Sequence, residues 1–130
     1  MKFFVPGRSN NYERVREVFE CVKAAGQEVT FEWTTLPMVK PYHHNQEQAA
    51  EYAKRGIDGV VEADVYLLFA HEDGNGVYTE LGAALASNAV QGAPKIYAIG
   101  EEAKWAAMFN YHPTIKWRGS AEEVLLEVNR

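Results

Sequence analysis

The residues best equipped for chemistry are concentrated in Asp73-Gly74-Asn75-Gly76-Val77-Tyr78-Thr79-Glu80-Leu81-Gly82. Carboxylates exchange protons and stabilise positive charge, and this segment carries two of them, Asp73 and Glu80. Gly74 and Gly76 let the backbone turn tightly and come close to a ligand. A helix of small residues begins near Thr79 and runs to about Val90, so Glu80 is expected in its first turn. There the helix dipole favours a negative charge and keeps the carboxyl ionised. The spacing alone also fits a Glu80 that is only an ordinary first-turn residue.

The surrounding pattern says how such a segment is held. Phe3-Phe4-Val5 is a buried strand stopped by Pro6-Gly7, and Val29 to Trp33 alternates like a second strand. Ala63 to Ala70 is a strand segment that is apolar without a break from Val65 on, as expected for the centre of a parallel sheet. Lys95 to Ile99 and Thr114 to Trp117 complete five strands. Between them lie helices. The first follows Asn10, which stands three residues before Glu13 as in a capping box, carries Val15, Val18, Phe19 and Val22, and ends at Gly26. The second runs from Gln46 to about Val61 with Ala50, Ala53, Ile57, Val60 and Val61 on one face. Gly56 and Gly59 each weaken it by about 1 kcal/mol, so irregular last turns are expected. A further helix carries Ala103, Trp105, Ala106 and Phe109, and Ser120 with Glu123 caps the last one.

Strict alternation of strands and helices implies a parallel sheet covered on both faces. The reading is an α/β chain of one domain, residues 1–130: a flavodoxin-like three-layer sandwich with a five-stranded parallel sheet of order 2-1-3-4-5. Ligands of such sheets bind at the carboxyl ends of the strands, beside the switch point between strands 1 and 3. That places the site between residues 6–11 and 71–80.

Composition narrows the function classes. The 130 residues are 47% hydrophobic, which excludes a disordered chain, and the net charge is −5, which argues against a nucleic acid polymer as partner. The longest apolar run, Val65 to Ala70, is far short of the roughly 20 residues of a membrane span. No membrane partner is expected, and no signal peptide is read at the start. The lone Cys21 fits a reducing, cytoplasmic setting and reads as a packing residue.

Ala63-Asp64-Val65, the glycine-rich acidic loop and Thr79-Glu80-Leu81-Gly82-Ala83-Ala84-Leu85-Ala86 together resemble the nucleoside 2-deoxyribosyltransferase family, whose relatives include nucleoside 5′-monophosphate N-glycosidases. Gly74, Gly76 and Glu80 are also similar to a motif of nucleotide-processing phosphoribohydrolases, but the Pro-Gly-Gly start of that motif is missing. The resemblance implies cleavage or transfer of the N-glycosidic bond of a (deoxy)nucleoside or its 5′-monophosphate. Glu80 is then the nucleophile at the anomeric carbon and Asp73 its assistant, with Glu72 as fallback. The family often places that Asp six residues before the Glu, and here the gap is seven. Cofactors and metals are not required, and a homodimer or higher homo-oligomer is implied. The alternative is a nucleotide-binding or sensing domain of the same fold without catalysis.

The substrate-binding set is Gly7, Arg8, Ser9, Gly74, Gly76 and Tyr78. Arg8 and Ser9, ahead of a helix start, suit a 5′-phosphate or a sugar hydroxyl, although Arg8 as a solvated side chain and Asn10 as a simple cap fit equally well. Tyr78 lies in the active loop and suits base stacking, whereas Trp33, Trp105 and Trp117 read as core or interface residues. Asp64 reads as the polar entry residue of its strand. His43-His44 lies in a loop without a partner at metal-ligand spacing.

Overall fold

The computed structural model describes residues 1–7, 11–71 and 75–129. Five strands, β1 (Lys2–Phe4), β2 (Glu28–Val29), β3 (Val65–Phe69), β4 (Lys95–Ile99) and β5 (Ile115–Arg118), pair in parallel in the order β2-β1-β3-β4-β5. This is the expected α/β architecture. Helices α1 (Tyr12–Ala24) and α4 (Ala121–Val128) cover one face, and α2 (Gln46–Glu62) and α3 (Asn75–Gln91) the other. No described helix is long and apolar enough to cross a membrane.

The two-residue period of a strand decides which layer each side chain joins. Along β3, Val65, Leu67 and Phe69 pack with Val15, Phe19 and Val22 of α1 and with Val124 of α4. Tyr66 and Leu68 turn the other way, onto Val60 of α2 and Val77, Leu81 and Ala84 of α3. Every β3 residue is buried, so the central strand is the expected one. Asp64 sits at its entry, where its carboxylate accepts from the Lys2 amide at 2.8 Å. Cys21 packs against the α1 side of the core. On β4, Tyr97 Oη donates to Glu127 of α4 at 2.5 Å, and Arg118 donates to the same carboxylate at 2.8 and 3.2 Å. These bonds hold the Glu127 carboxyl down at about 2, with Arg118 the larger cause.

Several element boundaries differ from the sequence reading. The second strand is only Glu28–Val29, and a 3-10 turn occupies Trp33–Thr35. The Trp33 indole donates to the Val5 carbonyl at 2.9 Å, so a side chain takes over where the backbone ladder would have continued. Helix α3 starts four residues early, at Asn75, because Val77, Leu81 and Ala84 form one buried stripe and the buried Tyr66 hydroxyl holds the Val77 carbonyl at 3.2 Å. Residues 101–106 and 108–111 are 3-10 segments rather than an α-helix. At α4, Ser120 Oγ accepts from the Glu123 amide as expected, but the Glu123 carboxylate reaches Gly119 instead of Ser120. Asn10, read as a cap, lies outside the described residues.

Helix α2 stays regular to Glu62 despite its two glycines, and the face it buries is the glycine face: Gly56, Gly59 and Val60 are buried, while Ala50, Ala53, Ile57 and Val61 are exposed. Gly59 is where α2 meets the sheet. A Cβ there would lie 3.0 Å from Thr30 Oγ1 and 3.1 Å from the Phe4 ring. Thr30 Oγ1 also donates to the Gly59 carbonyl at 2.9 Å. Overpacking costs about 1–3 kcal/mol, against about 1 kcal/mol gained in helix propensity. Gly59→Ala is therefore expected to lose up to about 2 kcal/mol net, read as a lower urea midpoint at unchanged slope.

Candidate active-site cleft

Strands β1 and β3 lie side by side, and beyond their carboxyl ends opens a cleft of about 530 Å³. Its floor is Gly7 after β1 and its inner wall is Gly76, Thr79 and Glu80 of α3. From the two segments assigned to the site, the described residues Gly7, Gly76, Thr79 and Glu80 line one cleft. The opposite wall was not anticipated. It is built by Phe31 and Trp33 after β2, by Val39 and Tyr42, and by the α2 residues Ala49, Tyr52, Ala53, Gly56 and Ile57.

Among the described residues, Glu80 is the single carboxyl on this lining. It stands in the second turn of α3 and not the first, because the helix begins at Asn75. The dipole effect fades within one turn, so it no longer explains the charge state. Desolvation does: the apolar walls push the Glu80 carboxyl from 4.5 up to about 7. The expectation of a carboxylate held ionised by the dipole is replaced by one poised between its two states near neutral pH. The buried Tyr66 phenol is pushed well above its ordinary value by burial first, with the neighbouring Glu80 adding to it.

Among the other candidates, Gly7 and Gly76 line the cleft. Tyr78 is not among the lining residues. Its hydroxyl donates to the His71 carbonyl at 2.9 Å and accepts from the buried Asn110 amide at 3.2 Å, which ties the end of the β3 loop to the 108–111 turn. Arg8, Ser9, Asp73, Gly74 and the fallback Glu72 lie outside the described residues. Trp33 lines the cleft, edge-on to Tyr12, whereas Trp105 is exposed. Two cations that sequence reading passed over stand at the strand ends. Arg14 stacks on Phe69 at 4.2 Å, and Arg55 on the cleft residue Phe31 at 4.6 Å. His43 and His44 are exposed and contact each other, and no cluster of His, Cys, Asp or Glu among the described residues could hold a metal ion.

The α2 wall had a sequence signal that went unread. Ala49, Tyr52, Ala53 and Gly56 recur at helical spacing, and small residues there leave room beside the helix.

The fold has a solved counterpart. The chain is similar to Clostridium botulinum CMP N-glycosidase, BcmB, with a TM-score of 0.62 and 15% sequence identity over 100% of both chains. At that identity the likeness is one of fold. No family model matches the sequence, and no curated protein matches it.

The raised Glu80 value has a measurable consequence. The folded state binds the carboxyl proton more tightly than the unfolded chain, whose value is near 4.5. Stability from this group is therefore complete below about pH 4.5 and declines as pH rises through about 7. Glu80→Gln removes the buried charge. It is expected to be more stable than the parent protein at pH 8, by roughly 1–3 kcal/mol, and equal to it at pH 4. Thermal unfolding at the two pH values checks this.

Proposed function

We propose that the protein cleaves the N-glycosidic bond of a nucleoside or nucleoside 5′-monophosphate, with Glu80 as nucleophile. The observation that carries the reading is one carboxyl, poised near neutrality, in an apolar and aromatic cleft at the carboxyl edge of a parallel sheet. Breaking the bond develops positive charge at the anomeric carbon. An adjacent carboxylate stabilises that charge or bonds to it, and inside an apolar wall the attraction is stronger than in water.

In the proposed step a Glu80 oxygen bonds to the anomeric carbon as the carbon–nitrogen bond breaks, and the bond pair leaves with the base. Asp73 supplies the proton that neutralises the base. Water, giving its proton to Asp73, then attacks the same carbon; the carbon–oxygen bond to Glu80 breaks, releasing the sugar or its 5′-phosphate and restoring both carboxyls, whereas attack by a second base would make the reaction a transfer. The flat, apolar wall of Phe31, Trp33 and Tyr42 suits a nucleobase. The fold likeness to a CMP N-glycosidase agrees with this class of substrate. A homodimer or higher homo-oligomer belongs to the same reading, for which Trp105, Met108, Phe109 and Tyr111 offer exposed apolar surface.

Incubation with a panel of nucleosides and 5′-monophosphates, with chromatography for free base, tests the activity. Glu80→Gln and Glu80→Ala are expected to abolish base release while remaining folded. The logarithm of kcat/KM should rise with pH up to about 7 and then level, since only the ionised carboxyl attacks. A rate with no rising limb, which falls as Glu80 ionises, would make Glu80 a general acid instead; a fall at higher pH after the rising limb reports loss of the Asp73 proton. Binding of nucleotides without base release would favour the sensing domain.

The phosphate is tested separately. If the substrate is a monophosphate, Arg8→Ala should raise its KM by the equivalent of roughly 1.5–3 kcal/mol and leave the free nucleoside unaffected. An equal effect on both substrates would assign Arg8 to the sugar or to structure.

A further inference from the structure

A glycine in the middle of a helix weakens it, and α2 carries two, one turn apart, both buried. Their surroundings differ. A Cβ on Gly59 would press on Thr30 and the Phe4 ring, so Gly59 serves the contact between helix and sheet. Among the described residues, a Cβ on Gly56 would meet one group within 4 Å, Glu80 Oε2 at 3.0 Å. The bare backbone of α2 at this position therefore forms the surface against which the Glu80 carboxyl rests.

We propose that Gly56 is the positioning residue of this site: the absent side chain is the space that holds the Glu80 carboxyl against α2, out of water and aimed across the cleft. Glu80 ends a flexible side chain, so an alanine at position 56 moves the carboxyl and leaves both helices where they are. This separates Gly56 from an ordinary packing glycine, whose replacement displaces an element. The ionisable groups around the carboxyl agree with a site controlled by its walls. Tyr66 rises from β3 beneath it, Tyr78 precedes it on α3, and Tyr52 faces the cleft from α2. Tyr42 also lines the cleft, and Arg55, stacked on the cleft residue Phe31, does not itself line it; among the described lining residues none is a cation, and burial is the cause of the carboxyl's raised value.

The kinetic half of this inference rests on the proposed function, and the structural half does not. Gly56→Ala is expected to remain folded with kcat for base release reduced at least tenfold and KM changed less than threefold. The Glu80 carboxyl, followed by carbon-13 NMR in a labelled protein, should titrate at least one unit lower than in the parent, because the displaced group gains water. Gly59→Ala is the control: its melting temperature falls and kcat of the folded protein stays within twofold. A second variant pair guards against misfolding. In a Glu80→Ala background the collision partner is gone, so adding Gly56→Ala should leave the melting temperature unchanged or raise it. A drop there equal to the drop in the parent background would overturn the inference, as would an unchanged Glu80 titration in Gly56→Ala. If the parent protein releases no base while the titration shift and the melting-temperature pattern appear as expected, the function reading fails and the positioning role stands.

Discussion

A carboxyl group kept from water is the feature on which the site depends. Ionised carboxylates are strongly hydrated, so moving one against apolar surface costs stability unless it takes up a proton. Glu80 sits at that balance, near 7, because α2 and α3 close on it from two sides above the ends of β1 and β3. The rest of the fold can be read as what makes this tolerable. The β3 strand is buried throughout, and its alternate residues anchor two separate apolar layers. The stripe of Val77, Leu81 and Ala84 locks α3 onto the sheet and so fixes where residue 80 emerges.

The architecture was legible because it rests on periodicity. The alternation of apolar segments with amphipathic ones, and the unbroken run around Val65 to Phe69, determine a parallel sheet and its central strand. Boundaries were less legible wherever a side chain replaced the backbone as a hydrogen-bonding group. The Trp33 indole on the Val5 carbonyl ended β2 early, and the Tyr66 hydroxyl on the Val77 carbonyl sits where α3 begins before Thr79. These contacts join residues 28 and 11 positions apart, which a helix or strand period does not carry. The site was half legible. Gly7, Gly76 and Glu80 came together as the topology requires, whereas the facing wall came from residues 31–57, a stretch in which the loop had no period and the helix's glycines read as defects. They are instead the residues that α2 turns inward.

The proposed chemistry joins the sequence resemblance around Glu80 to the geometry of the cleft. At 15% identity the resemblance to a CMP N-glycosidase speaks to the path of the backbone. The cleft adds a carboxyl with a raised proton affinity and a wall of flat side chains. Such a division of labour fits a ligand with a planar apolar part and an adjoining centre that becomes positive as it reacts.

The central claim is that the Glu80 carboxylate bonds to the sugar. The most direct measurement is intact-protein and peptide mass spectrometry after rapid acid quench of the protein with a nucleoside or nucleotide that it cleaves. The account predicts a glycosyl ester on the peptide containing Glu80, absent when residue 80 is glutamine. Base release accompanied by an adduct on a different residue, or undiminished base release by Glu80→Gln, would contradict it.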